Sequence, residues 1–122
     1  MTNIDYLESE KYISLETYRR NEQHVRTPVW FVMKNDLVYV VTREQTGKIK
    51  RIRHNQQVKI ASCTIKGNIT GEWIDGTAKI LNEEDTKEVV KWRDKKYGFM
   101  AKIAKVLSKS KGNLIAFSIE TG

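Results

Sequence analysis

"TPVWFVMKNDLVYVVT", residues Thr27 to Thr42, decides the fold. Two runs rich in β-branched and aromatic residues are separated by Lys34-Asn35-Asp36. Runs of this kind joined by a short polar turn predict a β-hairpin. Both "TPVWFVM" and "LVYVVT" are apolar on both faces. They are therefore expected to be central strands, covered outside by a helix or a second subunit. Pro28 has no N–H to donate and is expected at a strand start or an irregularity.

Alternation continues on either side of the hairpin. "YISLETYR" (Tyr12–Arg19) sends Ile13, Leu15 and Thr17 one way and Ser14 and Glu16 the other. "VKIASCTI" (Val58–Ile65), a turn at Lys66-Gly67-Asn68, "GEWIDGTAKIL" (Gly71–Leu81) and "LIAFSIE" (Leu114–Glu120) add strands. Between the last two the period changes. Asn82 is a plausible N-cap, with Glu83, Glu84 and Asp85 where a helix dipole favours acids. Val89, Trp92 and the stem of Lys96 form an apolar stripe, and Gly98 is expected to break the helix. "FMAKIAKVLSK" predicts a second helix, with Phe99, Ile103 and Val106 or Leu107 turned inward. Trp73 reads as core, Lys95 and Lys96 as solvated, and Tyr97 as a cap on the core. About six antiparallel strands with short helices predict a mainly β, closed or nearly closed barrel, a single domain over 1–122.

The chain has 122 residues, enough to bury a core without disulfides or metals. Its net charge of +7 favours anionic partners without choosing among nucleic acid, a membrane surface and a phosphorylated cofactor. Cys63 is the only cysteine, so no disulfide framework is possible within one chain. The N-terminal residues lack a signal-peptide pattern, and no apolar run approaches the ~20 residues of a membrane span. A soluble cytoplasmic protein with no membrane partner is the expectation. His24 and His54 lie outside any ligand spacing, so no metal is expected. No nucleophile elbow or Walker sequence is present. No catalytic side chain is assigned, since none could donate or accept a hydride.

"TGKIKRIRHN" (Thr46–Asn55) holds the basic cluster. A helical turn would bury Ile49 and Ile52 on one side, with Lys48 and Arg51 on a second face and Lys50 and Arg53 on a third. Thr46 can cap the turn, and Gly47 lets a ligand approach the backbone. This predicts a short phosphate-cradling helix; a solvated basic helix that only aids solubility remains the plain alternative.

The whole stretch "VRTPVWFVMKNDLVYVVTREQTGKIKRIRHN" resembles the split β-barrel proteins of the pyridoxamine 5'-phosphate oxidase-like superfamily, the flavin and deazaflavin oxidoreductases. The matching residues are Thr27-Pro28-Val29-Trp30-Phe31, Val41-Thr42, and Gly47-Lys48 with Arg51 and Ile52. "GEWIDGTAKIL", "KKYG" and "NLIAFSIE" are similar to the subgroup that uses coenzyme F420. "HNQQV" departs from the Asn-Pro that the family usually carries there. The resemblance implies an F420- or FMN-dependent oxidoreductase acting on a small-molecule substrate. It implies that Thr27, Pro28, Val29 and Trp30 flank the cofactor ring, that Thr42 sits near the ribityl chain, and that Lys48, Lys50 and Arg51 bind the phosphate. It also implies a homodimer with the cofactor at its interface. A binding protein for flavin or a tetrapyrrole, without turnover, would use the same residues. Nucleic-acid binding by a basic β-barrel fits the charge. It fits poorly with basic residues gathered in one helix and tryptophans in buried-looking strands.

Overall fold

The computed structural model describes residues 4–122. The chain runs β1 (Ile13–Tyr18), β2 (His24–Val29), β3 (Val32–Lys34), β4 (Leu37–Arg43), α1 (Gly47–His54), β5 (Gln57–Ser62), β6 (Ile74–Ile80), α2 (Glu83–Tyr97), α3 (Phe99–Leu107) and β7 (Leu114–Thr121). Single 3₁₀ turns cover Asp5–Ser9 and Lys109–Lys111. The predicted hairpin is β3–β4, with Lys34 opposite Leu37. Its two turn residues, Asn35 and Asp36, have φ of 52° and 64°. Tight two-residue hairpins need positive φ at both central positions, and Asn and Asp tolerate it best after Gly.

The strands form one antiparallel sheet in the order β2-β1-β5-β6-β7-β4-β3, seven strands rather than about six. Its two edges, β2 and β3, are consecutive in the chain, with only Trp30 and Phe31 between them. Two residues cannot cross a flat sheet of this width, since neighbouring strands stand about 4.8 Å apart. The sheet must therefore roll until its edges meet. The result is a split barrel closed by the chain itself, with no ladder between β2 and β3.

Of the two strands expected to be central, "LVYVVT" is so: β4 pairs with both β3 and β7 and lies under α2. The other expectation is corrected. "TPVWFVM" is not one strand but the end of β2, a break, and β3, and both pieces lie at edges. Pro28 sits inside β2 opposite Ser14, where an edge strand can do without its N–H. The break leaves Phe31 without ladder partners, and α2 replaces them. The Tyr97 hydroxyl accepts from Phe31 N–H (3.1 Å) and donates to the Lys11 carbonyl (2.7 Å), with the Phe31 carbonyl at 3.0 Å. Lys96 Nζ donates to the Phe31 carbonyl (2.9 Å) and lies 3.8 Å from the Phe31 ring centroid. The ammonium expected in free solvent is thus part of the closure.

Phe31, Phe117, Leu7, Ile13 and Leu15 are fully buried in the interior. Outside, α2 covers β4, with Trp92 edge-on to Tyr39 at 5.2 Å. Asn82 caps α2 as expected, accepting from Asp85 N–H at 2.8 Å, and Gly98 ends it at φ 59°. The second helix, α3, forms where predicted but faces the other way. Ala101 is its buried residue, while Phe99, Ile103, Val106 and Leu107 are exposed.

Tyr97→Phe removes the hydroxyl shared by Phe31 and Lys11 and leaves a buried N–H unsatisfied. It should destabilise the fold by about 1–3 kcal/mol, seen as an earlier urea midpoint with an unchanged slope. An unchanged midpoint would mean that the closure does not depend on this bond.

Candidate functional site: a basic cleft beside the first strand pair

Helix α1 follows β4 and packs under the end of β1. Eight residues carrying several like charges would not hold a helix in water. Burial of Ile49 and Ile52, each 1% exposed, supplies roughly 1.5–3 kcal/mol apiece and sets which side faces inward. Lys48, Lys50, Arg51, Arg53 and His54 are thereby turned away from the core. Thr46 does not cap the helix as expected. Its hydroxyl donates to the Arg43 carbonyl instead (2.9 Å), and no side chain caps the first turn.

Arg51 organises the site. Its Nε donates to the Thr17 hydroxyl at 2.6 Å, and its Nη1 folds back over the first turn of α1. A Cβ at Gly47 would lie 2.6 Å from that nitrogen, so the glycine makes room for the guanidinium. Beside it is a cleft of about 340 Å³ lined by Tyr18, Arg19, Arg20, Lys50, Arg51 and His54. Burial, and then the charge of Arg19, lower the Arg51 pKa. Burial, and then the charge of Arg51, hold the half-buried Lys48 below the ordinary lysine range. Among the described residues no carboxylate forms an ion pair with Arg19, Arg20, Lys48, Lys50 or Arg51. Like charges are thus held together without compensation, an arrangement that an incoming anion relieves.

Of the expected phosphate residues, Lys50 and Arg51 line the cleft, and Lys48 stands against Arg51 without lining it. Arg19, Arg20 and His54 were not anticipated. Arg19 and Arg20 follow β1, and only the packing of α1 on that strand brings them to the helix. "YRR" after an alternating run was the available signal, but nothing in it names its spatial neighbour.

The expected ring residues divide between two faces of β2. Pro28 is exposed on the outer face, and Val29 belongs to the core. Thr27 lies opposite Leu15, on the face shared by Thr17 and Val25. Its Oγ1 is buried and has no hydrogen-bond partner among the described residues, a state that native structures rarely leave unexplained. Trp30, half-buried at the break, stacks on Tyr97 with centroids 4.4 Å apart and planes at 10°. Thr42 sits half-buried on β4 opposite Ile115, outside the cleft. From His24 to Val29, β2 spans about 17 Å, with the cleft near one end and Trp30 beyond the other. Trp73, read as core, is half-buried under the Arg26 guanidinium, 4.5 Å from its ring centroid.

A second cleft, of about 1000 Å³, has the opposite character. Five acids, Glu44, Glu83, Glu84, Asp85 and Glu88, outnumber its two lysines, Lys87 and Lys91, so it suits a phosphate less well.

A split barrel with a cationic cleft at the end of its first strand pair defines the class. The chain belongs to the pyridoxamine 5'-phosphate oxidase family, whose model matches residues 4–122. Among solved structures, it is similar to the heme storage protein HutZ from Vibrio cholerae, with 14% identity, a TM-score of 0.74, and coverage of 97% of this chain and 86% of that one. A putative pyridoxamine 5'-phosphate oxidase from Listeria innocua shares 16% identity at a TM-score of 0.63, covering 94% and 86%. An F420 reductase shares 11% identity at 0.65, covering 100% and 95%. At these identities the likeness is one of fold. No curated protein matches the chain.

Gly47→Ala separates the cleft from the fold. Gly47 is helical and its clash is only with the tip of a flexible side chain, so alanine should raise helix stability by up to about 1 kcal/mol. The Arg51 guanidinium must swing aside, and its Nε–H resonance should move in a proton–nitrogen spectrum. A lower melting temperature, or an unmoved resonance, would contradict this account of Gly47.

Proposed function

We infer that the protein binds a flavin-type cofactor, coenzyme F420 or FMN, by its phosphate in the basic cleft and serves as an oxidoreductase for a small organic substrate. The observation that carries this reading is the convergence of Arg19, Arg20, Lys50, Arg51 and His54 on one cleft, free of any paired carboxylate. Charge-assisted donors of this kind contribute about 1.5–3 kcal/mol each to a phosphate. The number of cations exceeds what one phosphate uses and favours F420, which carries further carboxylates beyond its phosphate. The unpartnered Thr27 hydroxyl fits a polar cofactor atom lying along β2. Bound cofactor would supply hydride chemistry; the chain's own residues bind it, orient it and hold its charge. A cytoplasmic location accords with this reading.

Titration of the apo protein with F420, FMN and hemin, followed by absorbance and fluorescence, tests the proposal. Arg51→Ala and Lys50→Ala, which remove cleft-lining cations, should each weaken F420 or FMN binding roughly ten- to hundredfold. Lys48→Ala, which acts through its neighbour Arg51 rather than from the cleft wall, should act less strongly, and Arg53→Ala, outside the cleft, should change it little. Trp30→Phe should alter the fluorescence of bound cofactor if the indole touches the ring. A Soret band with hemin and no response to either flavin would replace the oxidoreductase reading with heme binding. Oxidation of reduced cofactor in the presence of an organic acceptor separates turnover from storage.

We also propose that the protein is a homodimer that shields the ring from water. The outer face of β4 does not supply the surface, since α2 covers it. The loop over residues 64–73 does: Ile65 and Ile69 are 66% and 39% exposed. A Cβ at Gly67 in the same loop would lie 3.9 Å from Pro28 Cδ, which places this patch against the expected ring strand. Sedimentation should give twice the chain mass of 14.2 kDa, and Ile65→Lys should lower both dimer content and cofactor affinity. A monomer that retains its cofactor would overturn the dimer.

A further inference from the structure

Helix α3 is built the wrong way round for a helix that only packs on its own barrel. Ala101 is its buried residue, while Phe99, Met100, Ile103, Val106 and Leu107 are 74%, 57%, 41%, 71% and 78% exposed. At 3.6 residues per turn these five share one stripe, roughly opposite Ala101. None of them fastens the helix. Arg43 does, through its guanidinium to the Lys105 carbonyl (2.7 Å), the Ser108 hydroxyl (3.0 Å) and the Gly112 carbonyl (3.0 Å). The apolar stripe is therefore presented outward while Arg43 ties the helix to β4.

Its surroundings choose the occupant. From Lys95 through Ile119 the chain contains six lysines and no Asp or Glu. The acids beside this segment are Asp94, 3.7 Å from Lys105, and Glu44, which accepts from Asn113 N–H at 3.2 Å, so the cations stay in excess. Lys95, Lys102, Lys109 and Lys111 are exposed around the stripe. A second copy on a two-fold axis would bring the same lysines against these, and like charges would oppose the contact. An anionic surface with an apolar layer beneath it satisfies both features. Nine residues span about 14 Å, too short to cross a bilayer, and no helix among the described residues is long and apolar enough to do so. We propose that α3 adsorbs the protein to anionic lipid bilayers, with its apolar stripe in the headgroup boundary and its lysines on the headgroups. This proposal departs from the expectation of no membrane partner and is independent of the cofactor reading.

Vesicle co-sedimentation of the full chain tests it. Wild-type protein should bind vesicles of mixed phosphatidylcholine and phosphatidylglycerol, bind pure phosphatidylcholine weakly, and be released by salt. Lys102→Gln with Lys109→Gln should cost about fivefold each, roughly 25-fold together. Phe99→Ser with Leu107→Ser should abolish binding and leave the unfolding midpoint unchanged, because both side chains are exposed. Absence of vesicle binding, or equal binding by the serine variant, would overturn the proposal. So would a lower midpoint for the serine variant, or its conversion from dimer to monomer, since either result would give the stripe a role within the protein or between its copies.

Discussion

The backbone of Phe31 is the point on which the structure turns. A rolled antiparallel sheet needs its two edges brought together, and here the chain joins them through two residues. The join removes Phe31 from any ladder, and buried peptide groups without partners cost about as much as a lost hydrogen bond each. Tyr97 and Lys96 replace those partners from the last turn of α2. Tyr97 remains a phenol in doing so, since burial pushes its pKa up to about 12. Lys96 is drawn down to about 8 by burial, against the opposing pull of Glu8 and Glu10. The length of α2, the position of Gly98 and the seam of the barrel are thus one geometric problem with one solution.

The same closure distributes charge. Rolling the sheet brings the end of β1 against α1, and Arg19 and Arg20 arrive beside Lys50 and Arg51. Elsewhere on the molecule cations meet acids. Arg26 binds the nearly buried Glu16 at 2.8 Å, and Lys59 lies 3.8 Å from Asp75. The net charge of +7 is therefore not evenly felt. It is concentrated in the cleft, where no cation has an acidic partner among the described residues, and along α3 and the turn after it, where Lys105 pairs with Asp94 and Lys102, Lys109 and Lys111 form no ion pair among the described residues.

Local chemistry was legible in the sequence, and long-range arrangement was not. Asn35 and Asp36 marked the hairpin because only a few residues tolerate positive φ. Asn82 and Gly98 bracketed α2 for similarly local reasons. Ile49 and Ile52 showed which side of α1 is buried, and the family resemblance identified the split barrel. Pro28 announced an irregularity, but nothing placed the break at Trp30–Phe31, since neither residue interrupts an apolar run and the partner that replaces the ladder, Tyr97, lies far along the chain. For α3 the period showed a stripe, but a period cannot say whether the stripe faces the core. Half of the basic cleft comes from the end of β1 and the two residues after it, and strand alternation carries no information about which helix will lie beneath.

A barrel sealed by two side chains instead of a ladder also has a defined place to yield. Separating β2 from β3 breaks side-chain contacts, those of Tyr97 and Lys96 with Phe31 and the Trp30–Tyr97 stack among them, and leaves each strand's existing ladder intact. Sub-global opening takes the route that disrupts the least hydrogen-bonded structure. Slow amide exchange should therefore be lost at Phe31 before it is lost at β5, β6 or β7. The barrel can breathe along one line while the rest of its sheet stays paired, and that line runs past Trp30.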